Sequence, residues 1–110
     1  MDKKITFRHM EPTPVIEEFA YKHLERLDKL LEGERTPIYI ELVLEAFPNH
    51  AHQRVELLVK TPHFDLVAHH EGAEMYQEID RVIDIMMQQI RRAKERFNDD
   101  QKKKDSYRSA

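Results

Sequence analysis

A single run, EGAEMYQEIDRVIDIMMQQIRRAKERFN from Glu71 to Asn98, constrains the fold of this chain more than any other stretch. Its apolar residues Tyr76, Ile79, Ile83, Met86, Ile90, Ala93 and Phe97 recur at alternating steps of three and four. On a helix of roughly 25 residues that spacing draws one continuous stripe, and one stripe requires one covering layer. Gly72 marks the entrance, and nothing inside the run breaks a helix. The last third changes character, because Arg91, Arg92, Lys94 and Arg96 fall within six positions. An amphipathic core helix therefore ends in a cationic segment.

The segments before it supply the layer. Residues 3–9 alternate Ile5 and Phe7 with Lys4, Thr6 and Arg8, the period of a half-buried strand. Thr13 before Pro14 starts a helix, with a hydroxyl to cap free amides and a proline where its missing N–H costs nothing. That helix runs through Ile16, Ala20, Leu24, Leu27 and Leu31 to Gly33, which favours a left-handed helix end. Residues 37–46 form a second strand, with Ile38, Ile40, Leu42 and Leu44 on its buried side. A third strand covers 53–60 on Val55, Leu57 and Val59, and Thr61-Pro62 closes it. A fourth, HFDLVAHH, turns Phe64, Leu66 and Ala68 inward, and the adjacent His69 and His70 must face opposite ways.

The order is strand, helix, three strands, helix. Short turns make the last three strands an antiparallel meander, while the first helical connection permits parallel pairing of strands one and two. Each helix has one apolar stripe, so both pack on the same face. The expected fold is α+β, a two-layer β-α-β-β-β-α sandwich with a four-stranded mixed sheet and two helices on one face. The expected domain is 1–98, followed by a flexible charged tail, DDQKKKDSYRSA, over 99–110.

The first helix sorts its charges. Counting about 100° per residue from Ile16, Lys22, Arg26 and Lys29 fall near 220° to 280°, and Glu17, Tyr21, Glu25, Asp28 and Glu32 near 100° to 180°. Pairing and solubility produce such sorting in many surface helices. The whole chain is uneven too. Residues 1–90 carry 10 Lys and Arg against 17 Asp and Glu, net −7; residues 91–110 carry 8 against 4, net +4; together they give −3. A polyanion responds to the potential within about 8 to 10 Å, so an acidic total does not exclude RNA. If both helices lie side by side, the basic flank of the first and the basic end of the second form a groove for two phosphate tracks. The outward strand positions lack an aromatic pair for base stacking on the sheet.

Other chemistry finds little support. The chain has no cysteine, its serines Ser106 and Ser109 lie in the expected tail, and its two glycines sit at helix boundaries rather than in a phosphate loop. Neither an enzyme nor a cofactor is expected. Of seven histidines, His50 and His52 stand two apart near a turn, a spacing that could offer a weak surface metal contact; loop polarity explains them as well, and no metal site is assigned. No apolar run approaches the roughly 18 residues of a membrane span, and the N-terminus lacks a signal-peptide core, so a cytoplasmic location is expected.

The element order, the run PVIEEFAYKHLERLDKLL and above all EGAEMYQEIDRVIDIMMQQIRRAKERF resemble the ribosome hibernation promoting factor family, which includes the translation inhibitor protein Y. The resemblance covers about residues 3–98 and is most specific over Glu71–Ile90. It implies a non-catalytic stress or stationary-phase factor that occupies the mRNA and tRNA channel of the small ribosomal subunit, inhibits translation and stabilises idle ribosomes. It further implies contacts to 16S rRNA through Lys22, Arg26 and Lys29 of the first helix and Arg81, Arg91, Arg92, Lys94 and Arg96 of the second. The chain is expected to be of the short type and a monomer when free, without the second domain by which long members pair ribosomes. No membrane and no small-molecule substrate is expected as a partner. A rival reading is a non-ribosomal protein-interaction module that offers the acidic helix flank or a sheet edge.

Overall fold

The computed structural model describes residues 1–108, with side chains described through Gln101. Strand β1 (Asp2–Arg8) leads to helix α1 (Pro14–Leu24), which continues through a 3₁₀ turn (Glu25–Leu27) into a short helix α2 (Asp28–Leu31). Strands β2 (Tyr39–Phe47), β3 (His52–Lys60) and β4 (Asp65–Gly72) follow, and helix α3 (Met75–Arg108) closes the chain. The sheet order is β1-β2-β3-β4, with β1 parallel to β2 and the other pairs antiparallel. The mixed two-layer α+β fold read from the sequence is the observed one.

Register explains the core. Ile5, Leu42, Leu57 and Ala68 stand opposite one another across all four strands, and beside them runs the row Phe7, Leu44, Val55 and His70. These rows face the helices, which return Ala20, Leu24, Leu27 and Leu31 from the first helical segment and Ile79, Val82, Ile83, Met86 and Ile90 from α3. The anticipated stripe thus forms the floor of α3, although Tyr76, Ala93 and Phe97 at its margins are half-buried. Thr13 caps α1 as expected, its hydroxyl accepting from the Ile16 N–H at 3.2 Å, and Gly33 takes a positive φ of 86° after α2.

Three boundaries differ from the sequence expectation. Glu71 and Gly72 end β4, opposite Arg54 and Gln53, and do not open the helix; α3 begins at Met75. The first helix is split by its 3₁₀ turn rather than continuous, with the Glu25 N–H reaching the Lys22 carbonyl. At the other end α3 extends past Asn98 to Arg108, into the stretch expected to be a flexible tail. No glycine or proline interrupts Asp99–Lys104, and Asp99/Lys103 and Asp100/Lys104 stand at the i,i+4 spacing that supports a helix. The side chains of 102–110, including the three lysines, lie outside the described residues.

Candidate nucleic-acid interface

The two helical segments run side by side and parallel, because their contacts advance together along both sequences. Phe19 meets Tyr76 edge to face at 4.7 Å, Arg26 meets Asp80 and Asp84, and Leu30 meets Lys94. The Arg26 guanidinium donates to Asp80 Oδ1 at 2.8 Å and to Asp84 Oδ1 through its other terminal nitrogen. Lys94 Nζ donates to the Leu30 carbonyl at 2.7 Å, near the C-terminus of α2, where carbonyls lack helical partners. One guanidinium and one ammonium therefore clamp the two helices together.

These contacts redistribute the eight cations expected to face RNA. Arg26 is committed to two carboxylates, so its positive field is largely cancelled where the helices first meet. Lys94 is half-buried and uses one of its three donors on the chain itself. Lys22 is exposed in the last turn of α1. Lys29 is exposed as well, but it borders a hollow with Met1, Lys3, Asp28 and Glu32 toward the β1 edge, where Lys3 already pairs with Asp28 at 2.9 Å. Arg81, Arg91, Arg92 and Arg96 are all exposed. At about 100° per residue along α3, Arg91 lies on the Asp80/Asp84 flank facing the first helix, Arg81 and Arg92 point to solvent, and Arg96 turns toward β4. The cations do not converge on one deep groove. They form a broad band centred on the C-terminal half of the helical layer, with Arg26 and Lys94 holding it in shape.

The expectation left out Asp80 and Asp84. Their spacing was a usable signal, since two acids four apart on the flank shared by Tyr76 invite a basic partner from whatever helix packs there. It also left out Glu78, the one buried charged residue among the described residues. Its carboxylate accepts from His70 Nδ1 at 2.8 Å and from the Glu74 N–H at 3.2 Å, joining the end of β4 to the start of α3. Four histidines face carboxylates in this way: His9 and Glu45, His52 and Glu71, His63 and Glu34, His70 and Glu78. His52 and Glu71 lie 3.0 Å apart, and this bond, with burial opposing and the charges of His52, Arg54 and His69 assisting, holds the Glu71 carboxyl below its usual pKa. Among the described residues no three His, Cys, Asp or Glu side chains gather as metal ligands, and no helix is long and apolar enough to cross a membrane.

A four-stranded mixed sheet under two parallel helices, with Arg91, Arg92 and Arg96 exposed along the second, defines a small two-layer α+β module. The chain belongs to the sigma 54 modulation protein / S30EA ribosomal protein family, whose model matches residues 4–98. This is the hibernation factor family that the sequence resembles. Among solved structures it is similar to the N-terminal domain of Protein Y from Thermus thermophilus, with 30% identity and a TM-score of 0.72 over 84% of this chain and 98% of that one. A ribosomal subunit interface protein from Coxiella burnetii shares the fold at 20% identity and a TM-score of 0.69, over 86% of this chain and 98% of that one. Comparison with curated protein sequences gives no match.

Proposed function

We propose that this chain is a non-catalytic factor that binds the small ribosomal subunit through 16S rRNA, occupies the mRNA and tRNA channel, inhibits translation and preserves idle ribosomes in the cytoplasm. The observation that carries the reading is the parallel pair of helices in a chain of a ribosomal-protein family, clamped where Lys94 reaches the end of α2, with Arg91 and Arg92 exposed on the turn of α3 before it. Lys22, Lys29, Arg81, Arg91 and Arg92 are the proposed phosphate contacts, Lys94 contributes its remaining donors, and Arg96, turned toward β4, is proposed to meet the RNA beside this band rather than within it. Arg26 acts indirectly, by joining the first helix to Asp80 and Asp84 of α3. A band of separate cations suits a structured RNA surface, where phosphates from different strands come close, better than a single extended strand.

Co-sedimentation with purified small subunits tests this, comparing the natural protein with Arg91→Glu/Arg92→Glu. The natural protein is expected to sediment with the subunits, the variant to remain in the supernatant, and binding to fall steeply with salt in proportion to the phosphates neutralised. Equal sedimentation of both proteins removes the basic band as the contact. Binding indifferent to salt instead favours a protein interface.

A further inference from the structure

Between the start of β4 and the far part of α3 lies a hollow of about 270 Å³, on the side of α3 that faces β4 rather than the first helix. Its walls are apolar and partly aromatic, from Phe64, Leu66 and Phe97. Its rim is polar, with Arg96 and Asp100 one turn apart on α3 and Asp65 across from them on β4. That volume is just below the range of about 300 to 1,000 Å³ typical of small-molecule sites, which matches one ring system and not a larger ligand.

The floor is built rather than incidental. Thr61 Oγ1 accepts from the backbone N–H groups of His63 and Phe64, both at 3.1 Å, and the Thr61 N–H donates to the Phe64 carbonyl at 2.9 Å. These bonds fix the turn that presents both rings. The His63 ring is tethered again by Nδ1 to Glu34 Oε2 at 3.3 Å, and it stacks on Phe97 with centroids 4.2 Å apart and planes at 28°. Above this floor Arg96 is uncommitted. Among the described residues it takes part in no salt bridge, although Asp65 and Asp100 share the hollow with it.

Planar walls, a free guanidinium and a neighbouring carboxylate select a ligand by elimination. Two aspartates repel a phosphate, so a free anion is a poor occupant. A planar ring that stacks on aromatic side chains and carries adjacent acceptor and donor edges fits. Guanine is that ring: O6 and N7 accept from an arginine, while N1–H and the exocyclic amine next to them donate to a carboxylate. Adenine places a donor between acceptors and cannot present two donors together, and pyrimidines lack the second ring.

We propose that this hollow binds a single unstacked guanine, with Arg96 on its O6/N7 edge, Asp100 on its N1/N2 edge, and Phe64 and Phe97 against its faces. Asp65 closes the opposite rim and keeps the phosphate outside. On the ribosomal reading given above, the guanine is one splayed from a loop or bulge of rRNA, so the band of cations supplies phosphate affinity while this hollow supplies one base of sequence preference.

Titration of the full chain with guanosine, GMP, AMP, CMP and UMP, followed by the ring resonances of Phe64, Phe97 and His63, tests the site without any ribosome. Guanosine and GMP are expected to shift these resonances alike, and GMP to bind about tenfold or more tighter than AMP. Arg96→Gln and Asp100→Asn, both at exposed positions, are expected to abolish that preference while leaving the circular dichroism spectrum unchanged. Equal shifts with all four nucleotides, shifts that require the phosphate, or no shift would overturn the proposal. Guanine binding without co-sedimentation would leave the hollow intact and remove the ribosomal reading; co-sedimentation without guanine binding would do the reverse.

Discussion

Gly72 ends β4, and a Cβ placed on it would lie 2.5 Å from both Cδ and Oε1 of Glu78 and 2.6 Å from Oε2. Its φ is not positive, so the backbone itself tolerates alanine; the obstacle is the buried carboxylate. In Gly72→Ala, Glu78 has to swing away, losing the bonds from His70 Nδ1 at 2.8 Å and from the Glu74 N–H at 3.2 Å. Hydrogen bonds to charged groups contribute about 1.5–3 kcal/mol each. Replacing glycine returns about 0.4–1 kcal/mol through the unfolded chain. A net loss of about 2–5 kcal/mol is expected, which at a urea m-value of about 2 kcal/mol per molar, the middle of the usual range, moves the unfolding midpoint down by roughly 1–2.5 M. The control is the background lacking the carboxylate. With Glu78→Ala already present the three atoms nearest that Cβ are gone, so adding Gly72→Ala should be neutral or slightly stabilising. Equilibrium unfolding of the four proteins gives the coupling directly. If Gly72→Ala costs the same in both backgrounds, the carboxylate is not the reason glycine stands there.

The clamp predicts a separation of stability from binding. Arg26→Ala should destabilise the fold by only about 0.5–1 kcal/mol in a urea melt, because Arg26, Asp80 and Asp84 are 39%, 51% and 53% exposed and surface pairs contribute little. Arg91→Ala should leave the melt within about 0.5 kcal/mol of the natural protein, while reducing the salt slope of RNA binding by about one phosphate. Ile83→Ala, at a fully buried position on the floor of α3, should cost about 2–5 kcal/mol by the same melt. Glu71 gives a pH signature. Its folded pKa is depressed, so the unfolded chain takes up that proton first as pH falls. Its contribution is present above the usual carboxylate pKa and is lost as pH drops through the lower folded value; Glu71→Gln should therefore flatten the acid limb of a stability-versus-pH curve measured by urea melts.

The strands and the stripe of α3 were legible because periodicity reports burial directly: Leu42, Leu44, Val55, Leu57, Ile79, Ile83, Met86 and Ile90 are buried where their spacing put them. The opposite facing of His69 and His70 was legible for the same reason. His69 sits opposite Glu56 on the outer face, while His70 shares the inward row with Val55 and reaches Glu78. Gly72 was misread because a glycine beside a helix looks like punctuation, and only the packed structure reveals the carboxylate above it. The partners of Arg26 were hidden for a similar reason. Its helical phase correctly gave the flank, but phase within one helix says nothing about what the neighbouring helix presents, and α3 presents two aspartates.

That pairing changes what the acidic balance of the first 90 residues means. An excess of carboxylates spread evenly would oppose RNA everywhere, yet here some of it lies where cations are structurally needed: Asp80 and Asp84 hold Arg26, and Asp28 holds Lys3. These contacts neutralise charge inside and beside the helical layer, and they leave Arg91, Arg92 and Arg96 on the exposed C-terminal part of α3 without such partners among the described residues. Because potentials decay over about 8 to 10 Å at physiological salt, a phosphate approaching that part of α3 responds mainly to Arg91, Arg92, Lys94 and Arg96 and to the Glu95, Asp99 and Asp100 carboxylates among them, a small positive balance, and little to the acids near β1 and α1. A net charge of −3 is therefore compatible with the proposed RNA contact, in which the acidic remainder would disfavour docking by the opposite end. In that proposal the distribution would orient the molecule as well as attract it. Reversing it, with Asp80→Lys/Asp84→Lys, would add positive charge yet free Arg26 and push the helices apart, so tighter binding does not follow from more cations alone.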